Sequence, residues 1–180
     1  MNRKENLEII CGPMFSGKTE FLLIRISDEV RNNKRVIVFK PSIDNRYSDD
    51  YIVSHNQNKI KCTTIMKAEE ILQYKNDFDV FAIDEIQFLN HEIVSVCNIL
   101  MMENKKIIAA GLDNDYRAVP FKQMAQLICL SDNITKLNAI CVKCGKDANL
   151  SYRISNEKDL ILIGESEEYE ARCEECYYNK

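Results

Sequence analysis

The chain lacks a long hydrophobic run. No apolar stretch approaches the roughly 18 residues that a membrane helix needs. Residues 1–6 are too polar and too short for a secretion signal, so we expect a cytoplasmic protein without a membrane partner. Histidine is scarce, with His55 and His91 as its two occurrences. Chemistry that depends on histidine is therefore poorly supplied, and we interpret both as ordinary polar residues.

A basic stripe is also missing. The net charge is -4 and no segment is strongly basic, which argues against a nucleic-acid partner. Hydrophobic residues make up 46% and charged residues 29%, as in globular and not in disordered proteins. A chain of 180 residues suits one domain, or one domain with a small appendage.

A phosphate-binding pattern lies near the N-terminus. Two glycines with four residues between them are followed by lysine and a hydroxyl residue, at Gly12, Pro13, Met14, Phe15, Ser16, Gly17, Lys18 and Thr19. A predicted strand at Leu7–Cys11 precedes this phosphate loop and a predicted helix follows it. That order makes an anion nest at a helix N-terminus, which predicts a nucleoside triphosphate ligand. We expect Lys18 to reach the outer phosphates and Thr19 to ligate Mg²⁺.

Apolar runs alternate with helical patterns along most of the chain. Strands are predicted at Leu7–Cys11, 36–39, Val80–Ile83 and 107–110. Helical spacing of apolar residues is found at Leu22, Ile26, Val30, Ile93, Val96, Cys97, Leu100 and Met101. The alternation predicts an α/β fold of the P-loop (RecA-like) type, a parallel sheet with helices on both faces. The polar stretch 41–62 is predicted to be a long loop.

Two acidic residues follow the third predicted strand. Asp84 stands where nucleotide-binding proteins of this class place the acid that holds magnesium, directly or through water. Glu85 can take a proton from a substrate hydroxyl or orient an attacking water. Side chains of adjacent strand residues face opposite ways, so a shared site requires the chain to bend after Asp84. A kinase and a nucleotide-hydrolysing switch or motor are both compatible with this pair.

Four of the eight cysteines form two C-x-x-C pairs, Cys141 with Cys144 and Cys173 with Cys176. Four thiolates complete a tetrahedral zinc site with no open position, which predicts structural zinc. Two disulfides are the alternative, and a reducing cytoplasm disfavours them. The remaining cysteines are predicted to be small, buried or partly buried residues and are Cys11, Cys62, Cys97 and Cys129.

Taken in order, these motifs resemble the type II thymidine kinases of bacteria, animals and some large DNA viruses. The resemblance covers nearly the whole chain. The segments that carry it are the phosphate loop, residues 44–48 with 54–55, residues 84–88, residues 111–121, both cysteine pairs and residues 164–173.

The resemblance implies transfer of the ATP γ-phosphate to the 5′-hydroxyl of thymidine, with Mg²⁺ and structural Zn²⁺. It implies that Glu85 is the general base. Nucleotide contacts beyond the phosphate loop would come from Asp44, Asn45, Arg46, Asp84 and Gln87. Contacts to the nucleoside, several of them from a loop called the lasso at 160–164, would come from Met14, Phe88, Leu112, Tyr116, Phe121, Leu160, Ile161, Leu162, Ile163, Gly164 and Tyr169.

The alternating pattern gives way to the cysteine pairs after about residue 138. We therefore expect a nucleotide-binding domain at 1–137 and a zinc-binding lasso domain at 138–180 that closes over the nucleoside. The resemblance further implies a homotetramer and feedback inhibition by thymidine triphosphate, and the sequence leaves open the preference between thymidine and deoxyuridine. Tyr116 stands where the family commonly has phenylalanine, and Glu165 where a small residue is frequent. Tyrosine keeps the flat face that stacking needs.

Overall fold

The computed structural model describes residues 6–43, 51–53, 59–155 and 167–179. Three predicted nucleotide contacts, Asp44, Asn45 and Arg46, lie outside the described residues. So do Glu165 and the lasso residues at 160–164. The predictions made for these residues therefore stay predictions.

Six of the strands in the described ranges form one parallel sheet. The strands are β1 (Leu7–Cys11), β2 (Val36–Pro41), β3 (Tyr51–Val53), β4 (Lys59–Lys61), β5 (Thr63–Ile65), β6 (Val80–Ile83), β7 (Lys106–Gly111), β8 (Asn133–Lys136), β9 (Ala139–Ile140), β10 (Asp147–Ala148), β11 (Leu150–Arg153) and β12 (Tyr169–Arg172). The sheet order is β5-β2-β6-β7-β1-β8. Each neighbouring pair in it runs parallel.

Helices cover both faces of this sheet. They are α1 (Lys18–Arg31), α2 (Ile93–Met102), α3 (Lys122–Leu130) and α4 (Glu174–Tyr178), with 3₁₀ helices at Ala68–Tyr74 and Ile86–Phe88. Successive strand residues point to opposite faces, so two cores form. The core under α1 includes Ile10, Leu22, Val38, Ala82 and Ile108. The core under α2 and α3 includes Ile9, Phe39, Phe81, Ile93, Ile107 and Leu127. The predicted fold class is confirmed.

The prediction for the apolar face of α1 is wrong at one residue. Leu22 and Ile26 are fully buried, but Val30 is 53% exposed and Glu29 is buried instead. A helix turns about 100° per residue, so position 29 returns to the face of Leu22 and position 30 overshoots it. Glu29 is tolerated there because its Oε1 lies 2.6 Å from the Nζ of Lys106 on β7.

The prediction of a long loop at 41–62 is wrong within the described residues. Strands β3 and β4 pair antiparallel there, and Ile52 is buried in the core under α1. The two strands have three residues each, which is too short to give a clear hydrophobic pattern in a polar segment.

Residues 139–155 and 167–179 form a small unit, called here the cysteine unit. Its strands pair as two antiparallel ribbons, β9 with β10 and β11 with β12. The core contains alanine and cysteine side chains, at Ala139, Cys141, Ala148, Ala171 and Cys173. These clustered side chains are small, in contrast to those of the sheet cores, and Leu150 and Tyr169 are the larger hydrophobic side chains buried in the described part of the unit.

The burial of the unpaired cysteines was predicted correctly with one exception. Cys11, Cys62 and Cys97 are buried, whereas Cys129 is exposed. Cys129 lies on α3, where the buried Met124 and Leu127 define the inner face. The helical turn carries position 129 to the outer face. Within the described ranges, no helix is long and apolar enough to cross a membrane.

Candidate active site

The phosphate loop joins β1 to α1 through residues with positive φ. Gly12, Phe15 and Gly17 have φ of 148°, 64° and 81°. A Cβ on Gly12 would lie 2.3 Å from the carbonyl oxygen of Leu137, so glycine is required at that position. Because α1 begins at Lys18, its N-terminal end directly follows the loop. Backbone N–H groups and the helix dipole are thus placed to bind phosphate.

The ammonium group of Lys18 is held against the loop itself. Its Nζ donates to the carbonyl oxygen of Pro13 at 2.7 Å, and the side chain of Ser16 donates to the same oxygen at 2.8 Å. Lys18 is 8% exposed. A buried cation beside a nest of N–H groups gives the loop the positive potential that a triphosphate needs.

Two predicted magnesium ligands meet beside the loop. The hydroxyl of Thr19 donates to Oδ2 of Asp84 at 3.0 Å, which joins the start of α1 to the end of β6. Asp84 is buried. A hydroxyl oxygen and a carboxylate oxygen are donors that Mg²⁺ prefers, so these residues fit the metal.

The chain bends at Glu85 as the sequence required. Glu85 has φ 50° and ψ 39°, a left-handed conformation that costs a non-glycine residue about 1–3 kcal/mol. Its backbone N–H donates to Oδ1 of Asp84 at 3.1 Å. Its carboxylate accepts a hydrogen bond from Nε2 of Gln87, with 2.6 Å between Nε2 and Oε2. Strained backbone of this kind is often found at functional sites.

The predicted nucleoside contacts from residues 88–121 lie on adjoining segments after β6 and β7. The rings of Phe88 and Phe121 meet edge to face, with centroids 6.4 Å apart. The backbone N–H of Leu112 donates to Oε1 of Gln87 at 3.0 Å. The hydroxyl of Tyr177 donates a hydrogen bond to the backbone carbonyl oxygen of Tyr116, with 2.5 Å between the two oxygens.

Arg153 is a buried cation between two predicted nucleoside contacts, and no role was predicted for it. It is 7% exposed, and its guanidinium carbon lies 3.7 Å from the ring centroid of Tyr116. Its Nη2 donates to the hydroxyl of Tyr169 at 2.5 Å. One arginine therefore holds both aromatic rings. The sequence carries no signal for it beyond an arginine at the end of a short strand.

The cysteine unit contacts the phosphate loop directly, which the sequence did not indicate. The backbone N–H of Met14 donates to the hydroxyl of Ser151 on β11 at 3.0 Å. The ring of Phe15 packs on the alanine and cysteine core of the unit. The donor loop and the predicted acceptor side are thus joined through two loop residues.

The four paired cysteines converge. The sulfur atoms of Cys141, Cys144, Cys173 and Cys176 all lie within 4.8 Å of one another. Sulfur atoms around tetrahedral zinc lie about 3.8 Å apart, given a Zn–S distance of about 2.3 Å. The cluster therefore has the donors and the approximate dimensions of a structural zinc site.

Two thiols of the cluster have pKa values that are shifted in opposite directions. Burial opposes ionisation of Cys141, but backbone hydrogen bonds from Cys173, Lys143 and Cys144 lower the pKa of its thiol to about 6. The thiols of Cys144 and Cys173, together with burial, raise the pKa of Cys176 to about 12. One proton is thus lost easily, and another is held mainly by hydrogen bonds between neighbouring thiols. A divalent cation that binds the cluster must displace the remaining protons.

A sequence model of the thymidine kinase family matches residues 5–177 of the chain. A thymidine kinase from Bacteroides fragilis (strain YCH46) is 43% identical over 175 residues, covering 97% of this chain and 88% of that protein. A thymidine kinase from Bacteroides thetaiotaomicron has the same identity and coverage. One from Rhodothermus sp. (strain ITI 518) is 42% identical over 171 residues, covering 95% of this chain and 80% of that protein.

Among solved structures, domain III of the Thermotoga maritima replication initiation protein DnaA is similar with a TM-score of 0.48 and 20% identity, covering 76% of this chain and 56% of that one. The family match spans the sheet and the cysteine unit alike. Given that match and relatives above 40% identity along nearly the full length, the chain belongs to the thymidine kinase family.

Proposed function

We propose that this chain is an ATP-dependent thymidine kinase, which transfers the γ-phosphate of ATP to the 5′-hydroxyl of thymidine. Family membership supports the substrate. The observation that carries the chemistry is the contact of Thr19 with Asp84, because it supports a magnesium site at the phosphate loop and next to Glu85. Phosphate binding, metal binding and a base then belong to one site.

In the proposed reaction, Glu85 accepts the proton of the 5′-hydroxyl. The 5′-oxygen forms a bond to the γ-phosphorus as the bond from that phosphorus to the bridging oxygen breaks, and ADP leaves with the electron pair. Lys18 and the loop N–H groups stabilise the charge on the transferring group. Mg²⁺, held by Thr19 and Asp84, would neutralise charge on the phosphates when bound.

The nucleoside would bind between the ends of the sheet strands and the cysteine unit. Tyr116 and Tyr169 present aromatic rings that Arg153 holds in place. Phe88, Leu112, Phe121 and Met14 would contribute apolar contacts, and the lasso would close over the base. Flat rings with apolar neighbours suit a pyrimidine base.

A panel of nucleosides with γ-labelled ATP tests this function. We expect label on thymidine, a rate on deoxyuridine that reports the preference between the two, and no label on 5′-deoxythymidine. The last compound keeps the base and lacks the acceptor hydroxyl, so it is the matched control. Label found only in inorganic phosphate would instead support a nucleotide hydrolase and contradict the proposal.

The remaining family properties are proposed with it. We expect a cytoplasmic homotetramer, four chains of 20.9 kDa, which light scattering coupled to gel filtration measures directly. Thymidine triphosphate should inhibit because it carries the acceptor's base and a triphosphate that fits the donor loop. A monomer of full activity would contradict the tetramer, and equal inhibition by all deoxynucleoside triphosphates would contradict specific feedback.

A further inference from the structure

Gln87 follows Glu85 by two residues and is almost completely buried, at 2% exposure. Both the nitrogen and the oxygen of its side-chain amide form hydrogen bonds. The Nε2 group donates to the carboxylate of Glu85 at 2.6 Å, and Oε1 accepts from the backbone N–H of Leu112 at 3.0 Å. An amide used in this way links the end of β6, which carries Glu85, to the end of β7, which leads to Leu112.

The surroundings leave Gln87 little freedom to move. A Cβ on Gly111 would lie 2.3 Å from Oε1 of Gln87, so glycine at the end of β7 makes room for the amide. From α3, the side chain of Gln123 donates to the carbonyl oxygens of Gln87 at 2.6 Å and Leu89 at 3.0 Å. The 3₁₀ turn that follows Glu85 is thus braced from β7 and from α3.

We propose that Gln87 is a positioning residue that orients the carboxylate of Glu85 and keeps it ionised for proton transfer. The inference rests on the proposed function, in which Glu85 is the general base. A short hydrogen bond fixes one carboxylate oxygen, and the donated N–H stabilises the charged form of the acid. This role differs from the direct nucleotide contact that family resemblance implies for Gln87.

The sharpest test is Gln87→Glu, which keeps the shape and the acceptor for the Leu112 N–H but in its ionised form cannot donate to Glu85. We expect kcat to fall by about a hundredfold, as for other small misplacements of reacting groups, with the KM values for ATP and thymidine changed less than about twofold. The acid limb of the pH profile of kcat should move to higher pH, because the base loses a donor and gains a negative neighbour. Gln73→Glu, at an exposed position of the 3₁₀ helix Ala68–Tyr74, is the matched control and should leave kcat unchanged.

A second variant keeps the amide but disturbs it. Gly111→Ala adds a Cβ that collides with Oε1 of Gln87, and it should also lower kcat and shift the acid limb. In a Glu85→Gln background, Gln87→Glu should cost little further, because there is no carboxylate to orient.

Two results would overturn the inference. One is a raised dissociation constant for ATP with an unshifted acid limb, which would make Gln87 a nucleotide contact. The other is a full additional loss in the Glu85→Gln background. Failure of the proposed function is distinguishable, since the unaltered chain would then transfer no label to thymidine.

Discussion

The parallel sheet and the cysteine unit are stabilised in different ways. The sheet buries large side chains on both faces, with Phe39, Phe81 and Ile9 fully covered. Each such side chain contributes about 1.5–3 kcal/mol on burial. The cysteine unit has alanines and cysteines in its core, and a zinc ion bound by the four thiolates would supply folding free energy that these small side chains cannot. We therefore expect the sheet to fold without metal and the cysteine unit to require it.

The two regions meet at the phosphate loop. Met14 and Phe15 follow β1 of the sheet and contact the cysteine unit through a hydrogen bond and through packing. Phe15 is held with positive φ at that contact. The phosphate loop therefore contacts both regions, although the residues proposed to carry the chemistry belong to the part of the chain that forms the sheet.

The largest expected effect tests whether the chemistry belongs to the sheet alone. Glu85→Gln should lower kcat by about 10²- to 10⁴-fold, because the amide cannot accept the proton of the 5′-hydroxyl. Binding of ATP, measured by calorimetry, should stay near that of the unaltered protein. Glu92→Gln, at the start of α2, is a control carboxylate outside the site. Near-normal turnover of Glu85→Gln would contradict the assignment of Glu85 as the general base.

Removal of zinc should separate the two regions most clearly. The purified protein should contain about one zinc ion per chain, since four thiolates close one site. After chelation, iodoacetamide should modify the four clustered cysteines, while Cys97 stays unmodified. Burial in the sheet core raises the pKa of Cys97 to about 12, so its thiol is inert as long as the sheet is folded.

The rate of phosphate transfer to thymidine should fall when zinc is removed, because Arg153 and Tyr169 belong to the cysteine unit. A zinc-free protein with full activity and protected clustered cysteines would contradict the dependence of this unit on metal. Modification of Cys97 together with the others would show that the sheet does not fold independently.

The smallest expected effect concerns the contact between the regions. Phe15→Ala should weaken ATP binding by about tenfold, because a loop that is no longer packed must be ordered at about 1–2 kcal/mol per residue when it binds. Phe21→Ala is the matched control, since Phe21 is also partly buried but packs on the sheet core under α1. Titration of ATP against both variants measures the difference. Equal affinities would indicate that the cysteine unit does not support the loop.

Local chemistry explains which parts of the fold were predictable. The bounds of β1 and β6 were predicted as observed, because each is a mainly apolar run that ends at a turn residue or an acid, Gly12 after β1 and Asp84 after β6. The bend at Glu85 followed from two acids that had to share one site. By contrast, Val30, Cys129 and the β3–β4 hairpin were predicted wrongly. In these cases burial depends on the helical turn or on the pairing of short strands, which residue composition does not predict.

The sequence alone determined the parts whose function resides in a short segment: the phosphate loop, the acidic pair after β6 and the cysteine pairs. Their residue types and spacing suffice for the prediction because each motif consists of neighbours in the chain, even where two motifs must meet to complete a site. The tertiary structure alone decided the contacts of Ser151 with Met14, of Arg153 with Tyr116 and Tyr169, and of Gln87 with Glu85 and Leu112. These contacts depend on the close approach of strand ends and of the cysteine unit, which packing sets and no local pattern records.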